Sequence, residues 1–364
     1  MFLIRDVREA DLDGLSEVAA HLDSVNLPDD RSRLAEIIAA SRASFAGERD
    51  VADRRFVFVL VEADPGDGAG RVLGTSMIFA QHGSRRAPHV YFDVLEEERY
   101  SSTLDRHVVH QILRIGYNYK GLTEVGGLVL RPELRRHPAR LGKLLSYVRF
   151  LYLALHRPIF RDEVVSELMP PLEPDGTSLL WEALGRKFTG LSYQEADRLS
   201  QDNKEFIRTL FPEEPIYATL LPPAVQAVIG QVGPGTKGVE KMLRQIGFEY
   251  AHRIDPFDGG PHFHARIDDL ALVRGVRRVR AAEAGAGGPA LAAAEPPAAP
   301  PPLLVAAEGG GSGGETRFRA TPVWGAVPVA GGELALPEEA RLLLGVPAGT
   351  EVACLPLDRS EARL

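Results

Sequence analysis

The sequence predicts an α/β protein: a mixed sheet enlarged by a run of helices and followed by a small strand–helix–strand appendage. Three observations predict it. Short runs rich in Val, Ile, Leu and Phe have the length of buried strands, at Arg55–Val61, Val72–Phe79 and Glu124–Leu130. Segments with apolar residues at helical spacing lie between them, at Asp11–Leu22, Ser32–Phe45 and Gly142–Leu155. Charged residues make up 25% and hydrophobic residues 45% of 364 residues, the balance of a globular chain that can bury a large core.

Phe2-Leu3-Ile4-Arg5-Asp6-Val7 reads as the opening strand, and the helix from Asp11 has acidic residues to cap its start. The strands Arg55–Val61 and Val72–Phe79 form a hairpin across the turn-rich Asp64-Pro65-Gly66-Asp67-Gly68. His107 and His110 stand three apart on an expected helix. Glu124–Leu130 leads through a basic loop, Arg131–Arg140, into the helix Gly142–Leu155, and Asp162–Leu168 is a further short strand. A helical insertion is expected at about 170–235. A last hairpin pairs Phe248–Ile254 with His262–Ile267 across Asp255-Pro256-Phe257-Asp258-Gly259-Gly260. The main domain is thus expected to span 1–280. Residues 281–315, dominated by Ala, Gly and Pro, read as a disordered linker, because so little large apolar surface cannot offset the entropy of ordering. Residues 316–364 form the appendage, with Pro337 starting and Gly345 ending its helix.

Composition also excludes function classes. One cysteine, Cys354, rules out an intramolecular disulfide framework and a cysteine-only zinc site. A net charge of −8 argues against general nucleic-acid binding. The charged opening residues lack a signal-peptide core, and no apolar run is long enough to span a bilayer. The expectation is a cytoplasmic protein without nucleic-acid or membrane partners. Its appendage strands could pair with another subunit as a homo-oligomer.

Chemistry concentrates at the junction after Leu128-Val129-Leu130. Between Arg131 and Lys143 the loop holds five Lys/Arg and one Glu and runs into a helix near Gly142. Free backbone N–H groups and the positive dipole end among basic side chains make a cradle for a pyrophosphate, although a solvated basic loop has the same composition. A second stretch, Gly238–Glu249, is an amphipathic helix ending in Gly247-Phe248 and feeding a strand.

Together the two stretches resemble the acyl-CoA-dependent N-acyltransferases of the Gcn5-related (GNAT) superfamily. Leu27-Pro28, Tyr147-Val148-Arg149-Phe150, Trp181–Phe188, Pro215-Ile216-Tyr217, Ala227–Val232 and Phe257-Asp258-Gly259-Gly260-Pro261 are similar to the arginine N-succinyltransferase family and occur in its order. The resemblance implies a GNAT-like fold with a splayed strand pair. It also implies transfer of a succinyl group from succinyl-CoA, the acyl-donor cosubstrate, to the α-amine of L-arginine in arginine catabolism, with no metal. It places the thioester on the backbone at Leu128, with Val129 and Leu130 beside it, and the phosphates on Arg136 through Lys143, including Arg140, Leu141 and Gly142.

Three positions depart from the family pattern. The expected proton-donating histidine falls on Gly233, an expected acidic residue falls on His264, and an expected arginine falls near Met169. His262 or His264, on the last strand, would then replace the missing histidine. The alternative is that His262-Phe263-His264 is simply a half-exposed strand face. Recognition of arginine requires a carboxylate for the guanidinium and a cation for the carboxylate. Glu167 and Asp258 are candidates for the first, Arg149 or Lys187 for the second, and Asn26 for a substrate lid. Asp258 serves equally well as a turn former. His82, His89 and His156 read as isolated. Two other functions stay open: an acyl-CoA-dependent transferase acting on a different amine, and a sensor that binds CoA or arginine without turnover.

Overall fold

The computed structural model describes residues 1–20, 27–63, 70–85, 87–200, 203–284, 303–309 and 317–357. Asn26 lies outside the described residues. The fold is mixed α/β, and the described residues form fifteen strands: β1 (Phe2–Asp6), β2 (Arg55–Ala63), β3 (Gly70–Phe79), β4 (His89–Ser101), β5 (Arg106–Asn118), β6 (Thr123–Leu130), β7 (Glu163–Glu167), β8 (Ile216–Tyr217), β9 (Glu249–Ile254), β10 (Pro261–Arg266), β11 (Arg277–Glu283), β12 (Leu303–Glu308), β13 (Phe318–Val323), β14 (Glu333–Leu336) and β15 (Glu351–Pro356).

The chain divides into two compact units. The first comprises 1–80, 125–161 and 267–364, the second 81–124 and 162–266. The main domain expected over 1–280 runs through both units.

In the first unit the strand order is β14-β11-β15-β12-β13-β1-β2-β3-β6. Its core joins Leu3, Val57, Val59 and Val61 of β1 and β2 to Leu15, Val18, Leu34 and Ile38 of the two N-terminal helices. These are the apolar faces whose spacing announced a strand followed by two helices. Inside this core the guanidinium of Arg5 grips the carboxylate of Asp11 with two bonds of 2.7 Å.

Two expectations are corrected here. Leu303–Glu308 is a buried strand within the range read as linker, paired with β13 on one side and β15 on the other. Its Leu303-Leu304-Val305 run supplies the apolar area that the surrounding Ala, Gly and Pro lack. The appendage is likewise not separate, because β13 pairs antiparallel with β1 at Ile4↔Ala320.

In the second unit the order is β7-β10-β9-β4-β5-β8. β4 and β5 form one thirteen-pair hairpin from His89↔Asn118 to Ser101↔Arg106. His107 and His110 thus sit on a strand, which corrects the expected helix. The residues expected as a helical insertion form five short helices between Leu179 and Gln226, interrupted by the two-residue β8. They pack Leu180, Trp181 and Leu184 against Val90, Phe92, Leu113 and Phe257. The rings of Trp181 and Phe257 stack with centroids 5.0 Å apart, which fixes the turn after β9 from below.

Candidate functional site

From Val125 onward, β6 belongs to the first unit. Its parallel ladder with β7 covers Thr123↔Val164 and Glu124↔Val165, both pairs belonging to the second unit. Beyond them come Gly126 and Gly127, and Gly127 takes φ +55, a left-handed conformation that interrupts a regular strand. A side chain there would also meet Met77, 2.7 Å from an added Cβ. Val129 and Leu130 bury their side chains and Leu128 is half-buried.

The loop that follows ends at Arg140, itself left-handed at φ 50, ψ 48, and the helix Leu141–Leu155 starts there without a side-chain cap. Arg136 and Arg140 are exposed, whereas the Leu141 side chain is fully buried and offers its amide alone. Lys143, expected on the phosphates, is held elsewhere. Its ammonium donates to the Leu357 carbonyl at 2.9 Å and lies over the Tyr147 ring, since its stem runs toward the end of β15. Arg149, expected on a carboxylate, is buried beneath β6 and donates to the Gly126 carbonyl, to the Ser146 carbonyl and to the Ser146 hydroxyl. Burial alone lowers its guanidinium to about 9.

The second unit gathers the titratable groups. β7 and β10 run antiparallel with His262 directly opposite Glu167, so both side chains leave the same face. His89 opens β4, and His82 is tied in place by its N–H to the Leu122 carbonyl at 2.7 Å. Three imidazole Nε2 atoms then surround one oxygen, Glu167 Oε1: His89 at 2.9 Å, His262 at 3.5 Å and His82 at 3.7 Å. The rings of His89 and His262 stack at 5.2 Å, and those of His82 and His89 meet edge-on at 4.3 Å. The far nitrogen of His82, Nδ1, lies 2.5 Å from Oε2 of the buried Glu124. His262 is 1% exposed, and neither of its ring nitrogens has a hydrogen-bond partner. His89 Nε2 and Glu167 Oε1 are not aligned as a hydrogen bond despite their short separation.

The charge states follow from burial. Loss of solvent brings His262 down to about 3, and loss of solvent together with the neighbouring His82 brings His89 down to about 4, so both are neutral bases near pH 7. At His82 burial works the same way, but the Glu124 carboxylate outweighs it and the imidazole is raised.

The turn after β9 adds Asp255 and Asp258. Burial raises Asp255 to about 7, with help from Glu167, and raises Asp258 well above the carboxylate range, with help from Asp255. Asp255 Oδ1 accepts from the Phe257 N–H at 2.6 Å, and Asp258 Oδ1 from the Gly260 N–H at 2.7 Å. Asp258 therefore does the turn work weighed against its binding role, while Gly259 supplies φ +82 beside it.

His264 stands half-buried two residues along β10, opposite Val165. It joins none of the ion pairs or ring contacts of the cluster among the described residues. Gly233 has no room for a side chain: an added Cβ would lie 2.5 Å from the Pro170 carbonyl oxygen and 2.9 Å from that of Met169, and its N–H bonds the latter.

Sequence reasoning reached Glu167, Asp258 and His262 but missed His82, His89, Glu124 and Asp255. His82 and His89 flank a Gly83–Pro88 loop, and only the pairing of β7 with β10 reveals what they face.

A family model described as "Arginine N-succinyltransferase beta subunit" matches residues 2–272. An arginine N-succinyltransferase of Enterobacter sp. (strain 638) is 33% identical over 286 residues, 78% of this chain and 81% of that protein. One of Salmonella paratyphi B is 33% identical over 293 residues, 80% of this chain and 82% of its own. The chain belongs to the arginine N-succinyltransferase family. It is by that membership an acyltransferase. The structure titled arginine/ornithine succinyltransferase subunit AI from Pseudomonas aeruginosa is similar throughout, with TM-score 0.78, 30% identity, and 98% of this chain and 99% of that chain covered. No described helix is long and apolar enough to cross a membrane.

Proposed function

We propose that this chain transfers the succinyl group of succinyl-CoA to the α-amine of L-arginine. Membership of the family supports the reaction class. The observation that carries the residue assignment is His262, a buried neutral imidazole with both nitrogens unpartnered, opposite Glu167 and near Asp255.

In this reading the acyl donor meets main chain more than side chains. The backbone from Gly127 to Leu130 receives the thioester arm, and the amides of Leu141 and Gly142 with Arg136 and Arg140 receive the phosphates. The Glu167 carboxylate, with the Asp255 carboxyl near it, is the anion toward which a guanidinium is drawn.

His262 accepts a proton from the α-ammonium, which frees the lone pair that attacks the thioester carbonyl. A backbone N–H stabilises the resulting oxyanion, and as the C–S bond breaks the second proton of the attacking nitrogen passes to the departing sulfur, so that the amide forms and CoA leaves as its thiol. His262 assumes the proton-transfer role because no side chain fits at Gly233.

Thiol release from succinyl-CoA, measured with a panel of arginine, ornithine, lysine and neutral amino acids, tests the reading. Arginine-dependent release is expected, with kcat reduced about 10²–10⁴-fold in His262→Ala and within a few-fold of the parent in His264→Ala. Undiminished turnover in His262→Ala would remove the assigned base. Release with another amine alone would change the acceptor.

A further inference from the structure

We infer that the second unit holds one divalent transition-metal ion of the zinc type, bound by His82 Nε2, His89 Nε2 and Glu167 Oε1. These three donor atoms lie within 4.8 Å of one another. They come from three separate stretches of chain: the loop before β4, the start of β4 and the end of β7.

The spacing suits an ion better than it suits a hydrogen-bond network. Donor atoms on a tetrahedral zinc ion, each about 2.0–2.1 Å from the metal, stand about 3.3 Å apart. The Nε2 atoms of His89 and His82 are 2.9 and 3.7 Å from Glu167 Oε1, on either side of that value. Among the described residues neither Glu167 Oε1 nor His89 Nε2 has a hydrogen-bond partner, although both atoms are buried. Buried polar atoms are otherwise almost always paired.

The second observation lies one step outward. A metal-bound histidine characteristically gives its other ring nitrogen to a carboxylate, which fixes the ring and raises its basicity. Glu124, 3% exposed, occupies that position on His82 Nδ1 at 2.5 Å. Two imidazoles and a carboxylate select zinc or a neighbouring first-row ion over Mg²⁺ or Ca²⁺, which prefer all-oxygen sites. Three protein ligands leave a coordination position for a small molecule. The inference stands whether or not the acceptor amine is arginine, because its readout is the ion itself.

The test strips the full-length purified chain with a chelator and titrates it with Co²⁺, followed by the visible ligand-field bands and by Zn²⁺ competition. Metal analysis of the untreated protein gives the stoichiometry. One equivalent is expected, with intense low-symmetry Co²⁺ absorption. Affinity should fall at least about 100-fold in His82→Ala and in His89→Ala, and about 10–100-fold in Glu124→Gln, which keeps the shape of the partner and leaves every ligand in place. His107→Ala, on the β5 strand, should bind as the parent does. Circular dichroism on each variant separates lost binding from lost folding. Only the spectrum of aqueous Co²⁺ at stoichiometric protein, or undiminished binding in both histidine variants, would overturn the site.

Discussion

Replacing Gly233 by alanine tests the argument that this position excludes the family's histidine. The new Cβ would sit 2.5 Å from the Pro170 carbonyl oxygen and 2.9 Å from that of Met169. Both obstacles are main chain, so relief requires the segment after β7 to move by several tenths of an ångström, and the Gly233 N–H bond to Met169 O, 2.9 Å, moves with it. Overpacking of this kind costs about 1–3 kcal/mol. At about 2–4 °C per kcal/mol for a unit of this size, the melting temperature should fall by about 2–12 °C. Gly235→Ala, two residues on with nothing within 4 Å of its added Cβ, is the matched control and should hold or gain slightly. The assay is calorimetry or circular-dichroism melting of the three proteins side by side. If the Gly233→Ala midpoint stays within one degree of the parent, as a rough threshold on the same per-kcal scale, the loop has room. The reasoning that moved proton transfer to His262 would then fail.

Three other outcomes are expected. Asp11→Ala removes the carboxylate that the buried Arg5 guanidinium grips, the pair being 1% and 5% exposed, and should cost about 3–5 kcal/mol in urea unfolding. Gly238→Ala, in the first turn of Lys237–Ile246 and facing open space, should raise stability by about 0.5–1 kcal/mol in the same assay. Cys354 is fully buried and its thiol is pushed up to about 11, so it should resist thiol reagents in the folded protein at pH 7–8. Labelling should appear as pH rises toward that value or on addition of denaturant.

The sequence made part of this architecture legible and hid the rest for identifiable reasons. Arg55–Ala63 and Leu141–Leu155 stood out because each holds a near-continuous run of buried, mainly apolar residues, short in the strand and longer in the helix. The β4–β5 hairpin did not, since Glu96-Glu97-Glu98-Arg99-Tyr100 and His107–Gln111 present polar groups on both faces and leave no alternation to read. Leu303–Leu304–Val305 was masked by its neighbours in composition, although the three residues are fully buried.

At the candidate site, Glu167 and His262 were visible because they end recognisable strands. His82 and His89 looked isolated because their partner lies some eighty residues away along the chain and meets them through sheet pairing. Asp258 showed its turn chemistry openly, and the structure kept it there.

The pairing of β1 with β13 has a consequence for how the protein comes into being. Ile4 emerges from the ribosome first, and Ala320, its partner, roughly three hundred residues later. At about 5–20 residues per second the nascent edge waits on the order of 15–60 s before its cover exists. During that interval one edge of β1 keeps unpaired backbone groups, since β2 covers only the other, and an open edge is a template for pairing with another chain.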